Sequence, residues 1–447
     1  MTLAPFTRSQ KKTLFLSALG GVLEFYDFII YIFLAPIIEK VFFSGNSSSV
    51  ATLKTLAIFS IGYLLRPLGG IIFSHFGDRY GRKVVFLLTV IFMALPSFGI
   101  ALLPTPAQIG LASPILLLIC RMMQGLALGG EIPAAITFVA EHVPLNRRGF
   151  ALSTLFFGIN MGLLLGSLVT SILTSFLTEN EILTYGWRLP FLLGGIFGLA
   201  SISVRRYLQE TAAFTALKKQ DLQEFPFASL MRSSSKKVLE CVMLVAIGGV
   251  SVFFYLYWPQ YLHQYFQYDF AQLMRINTMA TLVLNISILI GGLLCDRFGS
   301  RTLYLIGITC LVLVTYPLFT LLSYHSMTLV MITYFSFSLL FGFIPACYCV
   351  MLTEAFPTAI RYSGVATSYN LAYAFFGGFS PIICTLAIST FNSVLAPAAY
   401  LILVAILSGM TCFLGRERFQ SLKGSLSQKE SMNASIMPIG ISPNDSR

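Results

Sequence analysis

The chain has 447 residues, 56% of them apolar and only 11% charged, with a mean hydropathy of +0.80. A soluble domain carries about 25% charged residues to wet its surface, so most of this surface faces something other than water. The net charge of +11 argues for no nucleic-acid partner, because the basic residues fall in short segments between apolar runs, and runs of roughly 20 residues are too long for barrel strands.

Those runs predict twelve membrane helices, over 13–38, 51–74, 84–103, 110–140, 150–177, 186–208, 238–263, 270–294, 301–323, 326–352, 361–389 and 393–415. Every second connection is basic, from Lys11/Lys12 through Arg79/Arg82/Lys83, Arg147/Arg148 and Arg205/Arg206 to Arg297/Arg301 and Arg416/Arg418. The alternate connections hold few such residues: Lys40, Lys54, Arg188 and Arg275. By the positive-inside rule this puts both termini in the cytoplasm. The first run contains Glu24 and Asp27 and has no small-residue cleavage site, so it reads as a helix and not as a signal peptide.

Ionisable groups inside a bilayer cost roughly 2.5–3.5 kcal/mol each on insertion scales and mark pathways or proton relays. Glu24 and Asp27 are three residues apart, which puts them on one face of the first helix with Tyr31 a turn later. Counting about 1.5 Å per residue from the cytoplasmic end places both carboxylates near the midplane. In the fourth helix, Arg121, with Gln124 beside it, reaches a similar depth from the other side. Two carboxylates and one guanidinium leave an excess carboxylate for a proton. The competing reading is a static buried ion pair that fixes helix packing. Arg66, on the inner half of the second helix, either pairs with an acid of the fourth or faces a cavity. Glu131 lies roughly 15 Å nearer the cytoplasm than Arg121 and groups with a gate.

After the second helix comes Ser74-His75-Phe76-Gly77-Asp78-Arg79-Tyr80-Gly81-Arg82-Lys83, a charged turn in which glycine permits tight backbone geometry. Asp78, Arg79 and Arg82 can form a charge-assisted network that locks one conformation and breaks in another. The pattern returns as Asp296-Arg297-Phe298-Gly299, shifted by 218 residues. Glu141-x-x-Pro144-x-x-x-Arg148 returns as Glu354-x-x-Pro357-x-x-x-Arg361, shifted by 213. Two motifs in nearly one register indicate an internal duplication, and six helices per half make the repeats parallel. The expected fold is therefore an all-α polytopic membrane protein of two pseudo-symmetric six-helix bundles, residues 1–209 and 238–415. A cytoplasmic linker at 210–237 would join them, and a disordered tail at 416–447, without heptads, would follow.

Gly158, Gly162 and Gly166 form a small-residue ridge that permits close packing and a sliding contact between the halves. Gly377-Gly378 before Pro381 marks a flexible or close-packed place in the second half. The seventh helix carries Phe253, Phe254, Tyr255, Tyr257, Trp258 and Tyr261. Tyr255 and Tyr257 are candidates for holding a quaternary ammonium or a carboxylate, and the alternative is an interfacial aromatic belt. The eight cysteines have no metal-ligand spacing and read as small hydrophobes, and no histidine pair could hold a metal. No HExxH, GxSxG or P-loop occurs, so the chain reads as neither an enzyme nor an ATP-driven pump, and no cofactor or metal is expected.

The loop after the second helix resembles that of the major facilitator superfamily, with Ser74 in place of the first glycine. The resemblance narrows to the metabolite:proton symporter branch, which includes proline/betaine, α-ketoglutarate, citrate and shikimate permeases. It rests on Glu24-Phe25-Tyr26-Asp27-Phe28-x-x-Tyr31, Arg66-Pro67-x-Gly69-Gly70 and Arg121-x-x-Gln124-Gly125-x-x-x-Gly129-Gly130-Glu131. Gly186-Trp187-Arg188-x-Pro190-Phe191, Glu210-Thr211, the two Glu-x-x-Pro-x-x-x-Arg copies and Gly377-Gly378-x-x-Pro381 complete it. It implies a monomer in the bacterial inner membrane that couples a proton to a small organic acid or a zwitterion by alternating access. Carriage of a larger organic acid such as a carboxylate siderophore, in either direction, is the alternative within transport. A non-transporting sensor is the alternative outside it.

Overall fold

The computed structural model describes residues 6–45, 48–80, 82–205 and 226–415. Gly81, Glu210-Thr211, most of the expected linker and the tail from 416 lie outside the described residues. Asp78, Arg79 and Arg82 likewise lie outside the residues whose side chains are described.

The described chain is helical throughout. Ten helices are long and apolar enough to cross a bilayer, a bent pair supplies an eleventh, and a shorter apolar helix completes twelve. In order these are α1 Gln10–Phe33, α2 Leu53–Gly77, α3 Leu87–Leu102, α4 Ala112–His142, α5 Leu145–Phe176 and α6, the pair Glu179–Gly186 and Arg188–Ser203 bent by 43°. The second set is α7 Leu230–Leu256, α8 Gln272–Phe298, α9 Ser300–Tyr324, α10 Met327–Ala355, α11 Arg361–Phe391 and α12 Ala396–Leu414.

In the first half α1 packs on α5 and α6, α3 on α4 and α6, and α2 on α4. In the second, α7 packs on α11 and α12, α8 on α10, and α9 on α10 and α12. The halves meet where α5 crosses α8 and α10, and where α11 crosses α2 and α4. This is the two-bundle architecture expected from the duplication.

Helix ends and breaks depart from the sequence reading where proline or local packing intervenes. The helix carrying α7 begins at Pro226, inside the stretch read as linker, with a non-helical residue at Ser234. Within α2 the helix stops at Leu64 and restarts at Arg66, because Pro67 has no N–H to bond back to Tyr63. Beyond α7 a separate helix, Trp258–Phe266, follows a break at Tyr257.

The glycine ridge does something other than expected. A Cβ on Gly158 would run into the backbone of Ala18, and one on Gly162 would meet that of Val22 and Tyr26, so the ridge seats α1 against α5 inside the first half. It is not a contact between halves, since α5 turns a different face to α8. A second close approach was not foreseen. A Cβ on Gly125 would fall on the backbone of Gly62, and one on Gly129 on that of Arg66. These two absent side chains let α2 lie directly on α4. Gly129→Leu is expected to cost about 1–3 kcal/mol or more by overpacking, read as an earlier loss of the monodisperse peak when purified protein is heated.

Phe254 at the end of α7 and Trp258 and Tyr261 on the helix that follows pack inward and form no interfacial belt. Trp258 and Tyr261 are fully buried, and Phe254 stacks on Trp258 at 4.4 Å with Phe319, Phe337 and Phe341 around them. Phe254 and Trp258 are part of the core of the second bundle.

Candidate functional site

A cavity of about 60 Å³ lies between the two halves. Phe25, Tyr63, Arg66, Phe156 and Asn160 line it from the first half. Ser251, Tyr255, Phe341, Tyr348, Tyr369 and Tyr373 line it from the second. Arg66, at the break in α2, is 1% exposed and faces this cavity instead of pairing with an acid of α4. Its guanidinium lies over the rings of Tyr63 at 5.2 Å, Tyr369 at 5.7 Å and Tyr373 at 5.0 Å. Its Nε and Nη2 have no hydrogen-bond partner. Tyr255 donates its hydroxyl to Ser338 Oγ at 3.0 Å, and the hydroxyls of Tyr348 and Tyr373 meet at 3.1 Å. Tyr257 is not part of the lining; its hydroxyl meets Thr385 Oγ1 at 3.1 Å.

Arg121 and Gln124 also stay outside the cavity. They belong to a buried chain inside the first half, built on α1, α3 and α4. Arg121 Nη1 donates to Gln124 Oε1 at 2.7 Å, Gln124 Nε2 donates to Ser97 Oγ at 2.7 Å, and Ser97 is hydrogen-bonded to Asp27 Oδ2. Arg121 Nη1 also donates to Phe28 O at 3.2 Å, and its guanidinium sits 4.6 Å from the ring centroids of both Phe28 and Tyr31. Tyr31 donates to Thr55 O at 3.1 Å and so supports the arginine from α2. Asp27 is 2% exposed, and Gly194 on α6 leaves the space that Asp27 Oδ1 occupies.

Glu24 does not join this cluster. Ser201 on α6 donates to Glu24 Oε1 at 3.2 Å, and Glu24 lines a separate space of about 10 Å³ together with Glu131 and Ser17. Glu131 is hydrogen-bonded to Thr89 on α3. Residues three apart on a helix differ by about 60° in direction, enough in a close-packed bundle for two carboxylates to meet different neighbours. Sequence spacing alone made them one site, and packing divides them into two.

At the face carrying the basic loops the halves are tied together. Arg361 Nη1 pairs with Glu141 Oε1 at 3.2 Å, and Arg148 Nη1 approaches Glu354 Oε1 at 4.0 Å. The arginine of each repeat of the Glu/Arg motif therefore reaches the acid of the other repeat. Each arginine also donates Nε to a carbonyl of its own half, Arg148 to Ala140 at 3.0 Å and Arg361 to Phe356 at 3.3 Å. Asp296 accepts from the N–H groups of Gly149 at 2.7 Å and Phe150 at 3.0 Å, a carboxylate at the N-terminus of a helix in the opposite half. Arg297 stacks on Phe298 at 5.5 Å. Tyr362 and Asn370 on α11 donate to the carbonyls of Gly130 at 2.8 Å and Gly129 at 2.6 Å on α4.

Sequence reasoning missed Ser97 and the tyrosines Tyr63, Tyr348, Tyr369 and Tyr373. Tyr369 and Tyr373 stand four apart before Gly377-Gly378, a spacing that could have flagged one aromatic face. Ser97 carried no signal, since hydroxyls are common in membrane helices.

The described residues contain no group of three or more His, Cys, Asp or Glu side chains able to hold a metal ion. The Major Facilitator Superfamily model matches residues 17–381. A proline/betaine transporter of Escherichia coli strain K12 is 34% identical over 414 residues, covering 90% of this chain and 82% of the relative. A glycine betaine/proline/ectoine/pipecolic acid transporter of Dickeya dadantii is 33% identical over 435 residues, covering 93% and 85%. Among solved structures, a proton:xylose symporter bound to 6-bromo-6-deoxy-D-glucose superposes with a TM-score of 0.77 at 16% identity, covering 91% of this chain and 95% of that one. That likeness is one of fold. The chain is a transporter and not an enzyme, and it belongs to the major facilitator superfamily.

Proposed function

We propose that the protein is a proton-coupled symporter that carries a small organic acid or a zwitterionic osmolyte across the bacterial inner membrane by alternating access. In this reading the basic face is cytoplasmic, both termini lie there, and the cross-half ties hold that side shut while solute enters the cavity from outside. Asp27 carries the coupling proton. Glu24, Glu131 and the loop residues serve the gate. The monomer is the working unit.

The observation that carries the coupling is a proton count at Ser97. Its hydroxyl has one hydrogen and two acceptors in reach, Asp27 Oδ2 and, at 3.0 Å, Met93 O. With Gln124 Nε2 already donating to Ser97, both remaining contacts of the hydroxyl are hydrogen bonds when Asp27 holds a proton and donates it to Ser97, which then donates to Met93. A deprotonated Asp27 takes the Ser97 hydrogen instead, so proton loss switches the direction of the hydrogen bond that joins α1 to α3 and biases how the two helices meet. Phe25 and Ile29 on the same helix line the cavity, which couples that movement to the solute.

A larger cargo such as a siderophore fits poorly with about 60 Å³ of space, room for about four to six waters. The relatives named for proline and betaine support the osmolyte class. The test is uptake into proteoliposomes with an imposed inward proton gradient, using labelled glycine betaine, proline, α-ketoglutarate and shikimate. Accumulation of one of them that a protonophore collapses supports the reading. Transport that is indifferent to the gradient, or absence of uptake for the whole panel by folded protein, refutes it.

A further inference from the structure

We infer that Arg66 is the anchor for a carboxylate on the transported solute, and that its tyrosine cage limits the carrier to solutes bearing one carboxylate and a net charge of zero or minus one. The inference rests on the transport reading above and deepens it.

A buried guanidinium on a membrane-spanning helix needs a counterpart, yet Arg66 is ringed by Tyr63, Tyr369 and Tyr373 and has two nitrogens, Nε and Nη2, without hydrogen-bond partners. Cation–π contact offsets part of the desolvation but supplies no acceptor for the N–H groups. A carboxylate supplies two, in the fork geometry that a guanidinium matches. The side chain is 1% exposed and lines the cavity, so the missing acceptor has to arrive by way of that cavity.

The rest of the lining sets the charge. Among the described lining residues Arg66 is the one cation, and none is Asp or Glu. A second carboxylate would find no partner, and a cation lacking a carboxylate would face an unmatched arginine. An ammonium on the far end of a zwitterion can rest on the faces of Tyr255, Phe156 and Phe341. The cage draws Tyr63 from α2 and Tyr369 and Tyr373 from α11, so one ion pair would engage both halves of the carrier at once.

The experiment measures equilibrium binding to purified full-length protein with no proton gradient, so a failure of proton coupling does not touch it. Glycine betaine is compared with its carboxamide, proline with prolinamide, and xylose serves as a neutral solute. Wild type is expected to prefer at least one acid over its amide by about 30-fold or more, the range for truncating a buried charged partner. Arg66→Gln should lose that preference, and Arg66→Lys should keep part of it, because an ammonium retains charge but not the fork. Should Arg66→Gln fail to fold, Arg66→Lys and the wild-type comparison still decide. The inference is overturned by unchanged affinity for the acid in a folded Arg66→Gln protein. Wild type that binds an amide or xylose as tightly as either acid, or that binds neither acid, overturns it too.

Discussion

Asp27→Asn is expected to reduce the accumulation ratio under an inward proton gradient to about one while solute exchange across the membrane continues. The asparagine amide can donate to Ser97 as a protonated carboxyl does, so the chain through Gln124 to Arg121 stays intact and the protein folds. What it cannot do is release a proton. Each pH unit contributes tenfold to the accumulation ratio of a one-proton symporter, since about 1.36 kcal/mol is tenfold in an equilibrium constant. A gradient of two units therefore separates wild type from variant by about a hundredfold. Exchange driven by labelled solute alone needs no proton cycle and should be little changed. Its rate in wild type should fall as pH rises, because the proposed cycle carries solute with Asp27 protonated, and in the variant it should be flat with pH. A variant that still concentrates solute would show that the coupling proton is held elsewhere, with Glu24 and Glu131 the next groups to examine.

The same helix illustrates how far sequence could go. That Glu24 and Asp27 lie within the bilayer follows from the length and polarity of the run around them. Which neighbours they meet depends on how tightly α1 is seated, and that seat is made by Gly158 and Gly162 far along the chain. The twelve helices, the duplication and the paired Glu/Arg motifs were legible because each is a property of spacing along one strand of sequence. Arg66 was legible only as two alternatives, an acid of α4 or a cavity, because the choice depends on the break before Pro67 and on the absence of side chains at Gly125 and Gly129. Ser97 was illegible for the same reason. Its role comes from Asp27, Gln124 and Met93 meeting it at once, and nothing in its own neighbourhood of sequence marks it.

Charge reversal at Arg361 should cut transport at least tenfold, and reversing Glu141 as well should restore a substantial part of it. Glu141 is 1% exposed and Arg361 14%, so this pair stands in far less water than an ordinary surface salt bridge. Arg361→Glu would put two carboxylates side by side across the seam, where breaking one buried pair costs about 3–5 kcal/mol. Moving a two-state equilibrium from 1:99 to 99:1 takes about 5.5 kcal/mol, so loss of a single tie changes the balance of states by most of that span. The carrier should then dwell in the form open at the basic face and cycle slowly. Cys295 reports on the opening of the halves, because it lies 3% exposed beside Asp296, beneath Gly149, where α5 crosses α8 at the same face. In Arg361→Glu its alkylation by a membrane-impermeant maleimide, read residue by residue by mass spectrometry, should speed up from that face. In Glu141→Arg/Arg361→Glu it should slow again. Recovery of protection without recovery of transport would separate the seam from the transport cycle, and would mean that the pair holds the two halves together without gating the passage between them.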